Sequence, residues 1–320
     1  MRKRLLLSLI ALTAIHGAAV AQDWPAKQPV RVIVTNTPGS ALDITARVVF
    51  EQVSHQIGQT VVVENRAGAA NTIGIAAVAK AEPDGYTILV TTSAIAIAPY
   101  THKDLPYDTL RDLAAVIPLG NLTNVMLTPA GRFKSISDLV AAAKAKPDAL
   151  SYASIGPGST GHLSAERLAI SAGFKALHVP FKGSPEAVRD LAAGRLDFFF
   201  TPVVPALGLI REKKVDALAV SSSSRSSLLP DVPTTVQAGY ADSDYNFWIG
   251  AFMPAATPQP ILARVFDETR KALENPDIKK RLTALGAEPM TMSRDQFRAF
   301  LVKELELNAK LVKAANISAE

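Results

Sequence analysis

Short β-branched runs separated by helix-length amphipathic segments recur along this chain, and that alternation limits the fold more than any other feature. Val30-Arg31-Val32-Ile33-Val34 has the length and character of a buried strand. The Pro38-Gly39-Ser40 turn follows it, then a helical segment from Ala41 to about Ile57 that Gly58 ends. Thr60–Val63 reads as a second strand, residues 72–80 as a second helix, and Thr87–Thr92 as a third strand entered through the Asp84-Gly85 turn. Strands spaced by helix-length segments are βαβ units and give a mainly parallel sheet. The fold class is α/β.

A similar series restarts after Asn121. Strands are expected at Val125–Leu127, Leu150–Ala153, Ala176–Val179, Asp197–Phe200 and Ala217–Val220, with helices at Ser137–Lys146, His162–Ala172 and Pro185–Ala193. Gly173 and Gly194 stand where a helix turns left-handed at its end. Phe247–Met253 is one more apolar run, and after it the pattern is helical. Asn275-Pro276 opens one helix that Gly286 stops, and Ser293 with Gln296 makes a capping-box signal for the last. Those closing helices have apolar faces and need a sheet built earlier in the chain. The simplest topology therefore assigns 22–121 and 247–320 to one lobe and 122–246 to another, with two crossings as a hinge and a ligand cleft between the lobes.

The N-terminus bears on compartment. Arg2, Lys3 and Arg4 precede an apolar stretch from Leu5 to about Ile15, and Ala19-Val20-Ala21 is a small-x-small cleavage pattern before Gln22. The stretch is shorter than the roughly 20 residues of a spanning helix. Residues 1–21 are expected to be a cleaved signal peptide, which places the mature protein in the periplasm. The chain has no cysteine, so disulfides, thiolate metal sites, a cysteine nucleophile and a lipid anchor on cysteine are all excluded. Removal of 1–21 lowers the formal charge from +5 to +2, with 31 basic against 29 acidic side chains, which gives no support to nucleic-acid binding.

Two strand-to-helix loops carry the candidate chemistry. Pro38, Gly39, Ser40, Ala41, Leu42 and Asp43 follow the first strand and open a helix, whose unpaired N–H groups and positive dipole end suit an anion. With Gly39 as its only glycine, the turn is neither a Walker loop nor a dinucleotide fingerprint. Ser154, Gly156, Gly158, Ser159, Thr160, Gly161 and His162 hold the same position in the second series, with glycines for close backbone approach and hydroxyls as donors. Ser159 as a nucleophile with His162 as its base is the enzymatic alternative. The G-x-S-x-G elbow fails at Pro157, and Ser at a helix start is more often a cap. Ser93 after the third strand and Lys182 in Phe181-Lys182-Gly183-Ser184 are further polar candidates. Asp43 and Arg47, four apart, read as a modest surface ion pair, and the Ser221–Ser227 run as a solvated loop. The histidines show no metal-ligand spacing, and neither a metal nor a cofactor is expected.

Several segments in order carry a family resemblance. Among them are Trp24-Pro25-Ala26-Lys27-Gln28-Pro29, Val61-Val62-Val63-Glu64-Asn65-Arg66-Ala67-Gly68, Pro83-Asp84-Gly85-Tyr86-Thr87 and His178-Val179-Pro180-Phe181-Lys182-Gly183-Ser184. Leu229-Pro230-Asp231-Val232-Pro233-Thr234 and Ala251-Phe252-Met253-Pro254-Ala255-Ala256-Thr257-Pro258 complete the set. Across the mature chain the sequence resembles the extracytoplasmic solute receptors of the tripartite tricarboxylate transporter system, also called the Bug family. The resemblance implies a two-lobed periplasmic-binding-protein fold of type II, with Rossmann-like lobes and a closing cleft. In the family, ligand carboxylates are held by amides, hydroxyls and waters at the two loops above.

The family's first loop usually reads Pro-Gly-Gly-Ala-Thr-Asp, whereas Ser40 and Leu42 stand here, exchanging one hydroxyl position for another. The strand ending near Phe200 is often followed by aspartate, and here by Thr201, which argues against an amino-acid ligand. The expectation is a monomeric receptor that delivers a small carboxylate to membrane permease subunits and binds no nucleic acid. A sensor feeding a signalling kinase and an exported serine hydrolase are the alternatives. Since neither loop contains Arg or Lys, the carboxylate is expected on neutral donors.

Overall fold

The computed structural model describes residues 24–181 and 183–314; the expected leader 1–21 and Lys182 lie outside the described residues. Strand β1 (Val30–Val34) buries Val30, Val32, Ile33 and Val34 and turns only Arg31 outward. Helix α1 (Ala41–Ile57) follows, capped by Ser40 and ended by Gly58 at φ 65°. Then come β2 (Val61–Asn65), α2 (Thr72–Ala79), β3 (Thr87–Thr92), a short α3 (Ala98–Thr101) and β4 (Leu113–Leu122). The second series is β5 (Asn124–Pro129), α4 (Ile136–Ala145), β6 (Ser151–Ser154), α5 (Thr160–Ala172), β7 (Leu177–Pro180), α6 (Ser184–Ala192), β8 (Phe198–Pro202), α7 (Val203–Arg211) and β9 (Val215–Val220). The chain closes with β10 (Phe247–Pro254), α8 (Gln259–Glu274), α9 (Pro276–Ala284), β11 (Ala287–Glu288) and α10 (Arg294–Ala314).

The described residues fall into two compact units: the first comprises 24–119, Ile249–Lys280 and Thr291–Glu304, the second Gly120–Trp248, Arg281–Met290 and 305–314. The simple two-crossing scheme put all of 247–320 with the first unit. Phe247–Trp248, Arg281–Met290 and 305–314 instead group with the second, Arg281–Met290 because β11 pairs antiparallel with Asn121–Leu122. The Glu288 carboxylate also accepts from the Ser226 hydroxyl and from the Ser227 N–H and hydroxyl.

In the first unit β2, β1 and β3 are parallel and β10 runs antiparallel to β3. Across the β1–β2 pair Arg31 meets Glu64 in a two-pronged ion pair, at 2.8 and 3.0 Å. Helix α1 buries Ala46, Val49, Phe50 and Val53 on its inner face, each large side chain contributing about 1.5–3 kcal/mol. It is tied to α8 by Gln56 Nε2 donating to the Glu268 carbonyl at 2.7 Å.

The second unit's sheet has the order β7-β6-β8-β5-β9. β7, β6 and β8 are parallel, while β5 runs antiparallel to both its neighbours, so the sheet is mixed. Phe198-Phe199-Phe200 shows the strand period in a run buried on both faces. Phe198 and Phe200 join Tyr152, Leu139 and Leu168 on one face, and Phe199 joins Val125, Leu191 and Ala206 on the other. Ser223, Ser224, Arg225 and Ser227 are exposed, as the composition of a solvated loop suggests, but Ser221, Ser222 and Ser226 are buried. Serine hydroxyls there replace water as partners: Ser221 donates to the Tyr245 carbonyl and Ser222 to that of Ser224.

The Ser293–Gln296 capping box closes reciprocally: the Ser293 N–H donates to Gln296 Oε1 and the Gln296 N–H to Ser293 Oγ.

Candidate functional site

In the first unit the loop after β1 is built around a short turn that becomes a helix cap. Gly39 sits at φ 79°, a conformation costly for other residues. Ser40 then takes an extended conformation, and its hydroxyl accepts from the Asp43 N–H at 3.2 Å. Asp43 folds back to close the loop from the other side: its Oδ2 accepts from the Gly39 N–H at 2.9 Å. The second carboxylate oxygen accepts from Arg47 Nε at 3.0 Å and from Asn65 Nδ2 at 2.9 Å. Asn65 ends the neighbouring strand β2 and also donates to the Asn36 carbonyl. Asp43 is therefore not half of a surface ion pair. It is 3% exposed, and its four-residue spacing to Arg47 serves a buried carboxylate. Burial alone would raise its pKa; the hydrogen bonds from Arg47, Gly39 and Asn65 outweigh burial and leave it lowered.

The second unit repeats this geometry. Gly158 stands at φ 74°, and Ser159 at φ −65° and ψ 157° matches Ser40 at φ −68° and ψ 159°. The Ser159 hydroxyl accepts from the His162 N–H at 3.5 Å, and His162 Nδ1 accepts from the Gly158 N–H at 3.0 Å. Both loops spell Pro-Gly-Ser-x-x followed by a side-chain acceptor, Asp43 in one and His162 in the other. In each, the third helical residue's side chain accepts from the glycine before the cap, a variant of the capping box. The consequence is the same in both. The N–H groups of Ala41 and Leu42, and of Thr160 and Gly161, have no hydrogen-bond partner among the described residues, and each pair lies at the positive end of its helix.

Gly161 is required by a close approach: a Cβ there would lie 2.4 Å from the Phe200 carbonyl oxygen. The imidazole of His162 is buried and stacks on His178 with ring centroids 4.0 Å apart and an interplanar angle of 6°. The Tyr152 ring lies beside this pair, 5.0 Å from His178 and 6.1 Å from His162, and its hydroxyl donates to Glu166. Burial, then the neighbouring His178, pushes the His162 pKa down to about 4, and burial lowers that of His178. Both rings are neutral at neutral pH.

The structure brings Pro38, Gly39, Ser40, Ala41, Leu42 and Asp43 to one end of the first unit's sheet. There the Thr35 and Thr91 hydroxyls join the ends of β1 and β3 at 2.9 Å, with Ser93 two residues further on. Ser93 is 2% exposed and its hydroxyl has no partner among the described residues. Leu42 is buried, so only its N–H is on offer. In the second unit Ser154, Gly156, Gly158, Ser159, Thr160, Gly161 and His162 lie at the carboxyl ends of β6 and β8. Thr201 joins them, its buried hydroxyl also without a partner among the described residues. Carboxyl ends of strands are where open α/β sheets take ligands. Sequence reasoning missed Asn65, Tyr152, Glu166 and His178. The parallel pairing of Tyr152 with His178 across β6 and β7 was the available signal for two of them.

Ser159 and His162 do not form a nucleophile–base pair: the hydroxyl meets the His162 backbone, and the ring is turned to Gly158. Among the described residues no cluster of His, Asp or Glu could hold a metal ion, and no helix is long and apolar enough to cross a membrane.

The sequence model of the tripartite tricarboxylate transporter family receptor matches residues 45–317. The UPF0065 protein in the tcbD-tcbE intergenic region of Pseudomonas sp. (strain P51) is 36% identical over 99% of this chain and 96% of its own. Protein BugT of Bordetella pertussis is 33% identical over 95% of this chain and 94% of its own. Among solved structures, R. palustris Rpa4515 with adipate is 30% identical with a TM-score of 0.73, covering 93% of this chain and 100% of that one. MatC from Rhodopseudomonas palustris with bound malate is 29% identical with a TM-score of 0.68, covering 90% and 99%.

Proposed function

This chain belongs to the tripartite tricarboxylate transporter receptor family, and from that premise we propose that it is a periplasmic receptor for a small aliphatic dicarboxylate of the adipate or malate kind. The observation that carries the reading is the pair of matching Pro-Gly-Ser loops. Each leaves two N–H groups unpaired at a helix start and contains no lysine or arginine. Ser40 and Ser93 in the first unit, and Thr160 and Thr201 in the second, add hydroxyls beside these N–H groups. Each hydrogen bond to a charged group is worth about 1.5–3 kcal/mol. Each helix start adds roughly 0.3–1 kcal/mol, or up to ~2 when partly buried. A few such donors reach the approximately −8 kcal/mol of micromolar binding without a buried cation. The Asp43 charge does not oppose the ligand, because Arg47, Gly39 and Asn65 occupy its oxygens.

In this reading the chain is exported through the leader 1–21, acts as a monomer, catalyses nothing and hands its ligand to permease subunits. The test is calorimetry with adipate, malate and their dimethyl esters. The free acids should bind saturably with micromolar affinity and the esters not at all. Ester hydrolysis, or equal binding of acids and esters, counts against a carboxylate receptor.

A further inference from the structure

The loop from Ile155 to Ser159 is held at two successive glycines by a stacked imidazole pair. His162 Nδ1 accepts from the Gly158 N–H at 3.0 Å. His178 Nε2 lies 2.6 Å from Ser154 Oγ, which in turn accepts from the Gly156 N–H at 3.0 Å. The rings come from different elements, α5 and β7, and stack face to face at 4.0 Å. An imidazole nitrogen accepts only when it carries no proton, so His162 must hold its single proton on Nε2 for the loop to close. The first unit secures the equivalent glycine with the Asp43 carboxylate, whose pKa the hydrogen bonds from Arg47, Gly39 and Asn65 hold lowered against the opposing effect of burial.

We infer that His162 and His178 are positioning residues, a pH-dependent clamp on the second unit's binding loop that releases Gly158 when the imidazoles take up protons. The inference rests on the receptor reading above for its consequence, but not for its geometry. Protonation removes the acceptor from Gly158 and sets two like charges face to face. The other titratable groups in the stack are Tyr152, from β6, and Glu166, on the same helix as His162, which accepts from the Tyr152 hydroxyl. Burial keeps the His162 ring neutral until the pH approaches about 4. Above that range the loop is formed and its Thr160 and Gly161 N–H groups are in place; below it the loop opens and the anion loses the second unit's donors.

The clamp is tested first without ligand. In the full chain labelled with 15N and titrated downward from neutral pH, the Gly158 and Gly156 amide signals should move with the midpoint of the His162 ring nitrogens. At neutral pH the ring should be protonated on Nε2. Calorimetry with adipate and malate as probes then compares variants. His162→Asn supplies a non-titrating acceptor and should bind like wild type at neutral pH, with the weaker pH dependence of the ligand's own carboxylates. His162→Phe keeps the stack, removes the acceptor and should bind roughly tenfold more weakly, as expected for one lost hydrogen bond. Glycine amides that ignore the His162 titration overturn the inference whatever binds, and so does equal affinity of the Asn and Phe variants. If neither probe binds while the amides follow His162, the ligand class fails and the clamp stands.

Discussion

Replacing Gly161 by alanine tests the construction of the second loop most directly. A Cβ at this position would sit 2.4 Å from the Phe200 carbonyl oxygen and 3.6 Å from the Phe199 ring. Ordinary contact begins near 3.4 Å, so the start of α5 must retreat by about 1 Å from the end of β8. The obstacle is backbone, not a side chain that can swing aside. Overpacking of this kind costs about 1–3 kcal/mol, against a helix-propensity gain of at most about 1 kcal/mol, for a net loss of about 1–2 kcal/mol. Gly208 is the control. It is exposed in α7, and a Cβ there would meet nothing within 4 Å, so Gly208→Ala should stabilise by about 0.5–1 kcal/mol. At roughly 2–4 °C per kcal/mol for a domain of this size, the same chemical change at two glycines should split the melting temperatures by at least about 3 °C. Trp248 is buried in the second unit and reports its melting in a Trp24→Phe background. The displaced Thr160 and Gly161 N–H groups should also weaken ligand binding in Gly161→Ala and leave it unchanged in Gly208→Ala. Equal melting shifts of the same sign would refute the close packing of α5 on β8.

Two further predictions concern charge. Asp43→Ala strips an acceptor from Gly39, Arg47 and Asn65 together and should lower the urea-derived stability of the first unit by about 2–3 kcal/mol. Asp43→Asn keeps one acceptor and should lose about 1 kcal/mol; equal losses would show that the Gly39 bond contributes nothing. In the second unit, the folded pKa of His162, about 4, lies below its ordinary value of 6.5. Its contribution is therefore complete above about pH 6.5 and is lost as the pH falls toward 4, by about 3 kcal/mol in total. Urea titrations across that window should show this slope in wild type and a shallower one in His162→Asn. The lowered Asp43 acts only at more acid pH.

The βαβ order was legible because each strand of the first series is a β-branched run bounded by a turn, and each helix carries its own stop. What stayed hidden has identifiable causes. β4 contains Pro118 and Gly120, and α7 contains Pro205 and Gly208, residues that normally mark breaks. Proline in a first helical turn sacrifices no hydrogen bond, which is how α7 accommodates Pro205. The antiparallel course of β5 depends on pairing partners distant in sequence, Thr201 and Val220, and no local period encodes that. At the candidate site both loops could be read from their glycines and serines. The side chains that hold them could not, because Asn65 and His178 reach the loops from neighbouring strands.

The two loops share a backbone and differ in what fixes it, and that difference has a functional consequence. A short serine cap uses the third helical N–H and leaves the first two free, so donors for an anion arise wherever such a cap is held rigid. Rigidity comes from the third helical side chain accepting from the glycine before the cap. In the first unit that acceptor is a carboxylate whose charge is balanced by Arg47. It is stable to acid because protonation must overcome three hydrogen bonds. In the second unit the acceptor is an imidazole kept neutral by burial, with a second imidazole against it. A cation at that position would have attracted the ligand's carboxylate and fixed a charge in the loop. The neutral ring does neither, so in the proposed receptor recognition would be left to N–H groups that report the shape of the anion as much as its charge. Affinity that falls with acidification through His162, and that Asn at the same position makes insensitive, is the signature by which this division between the two loops is recognised.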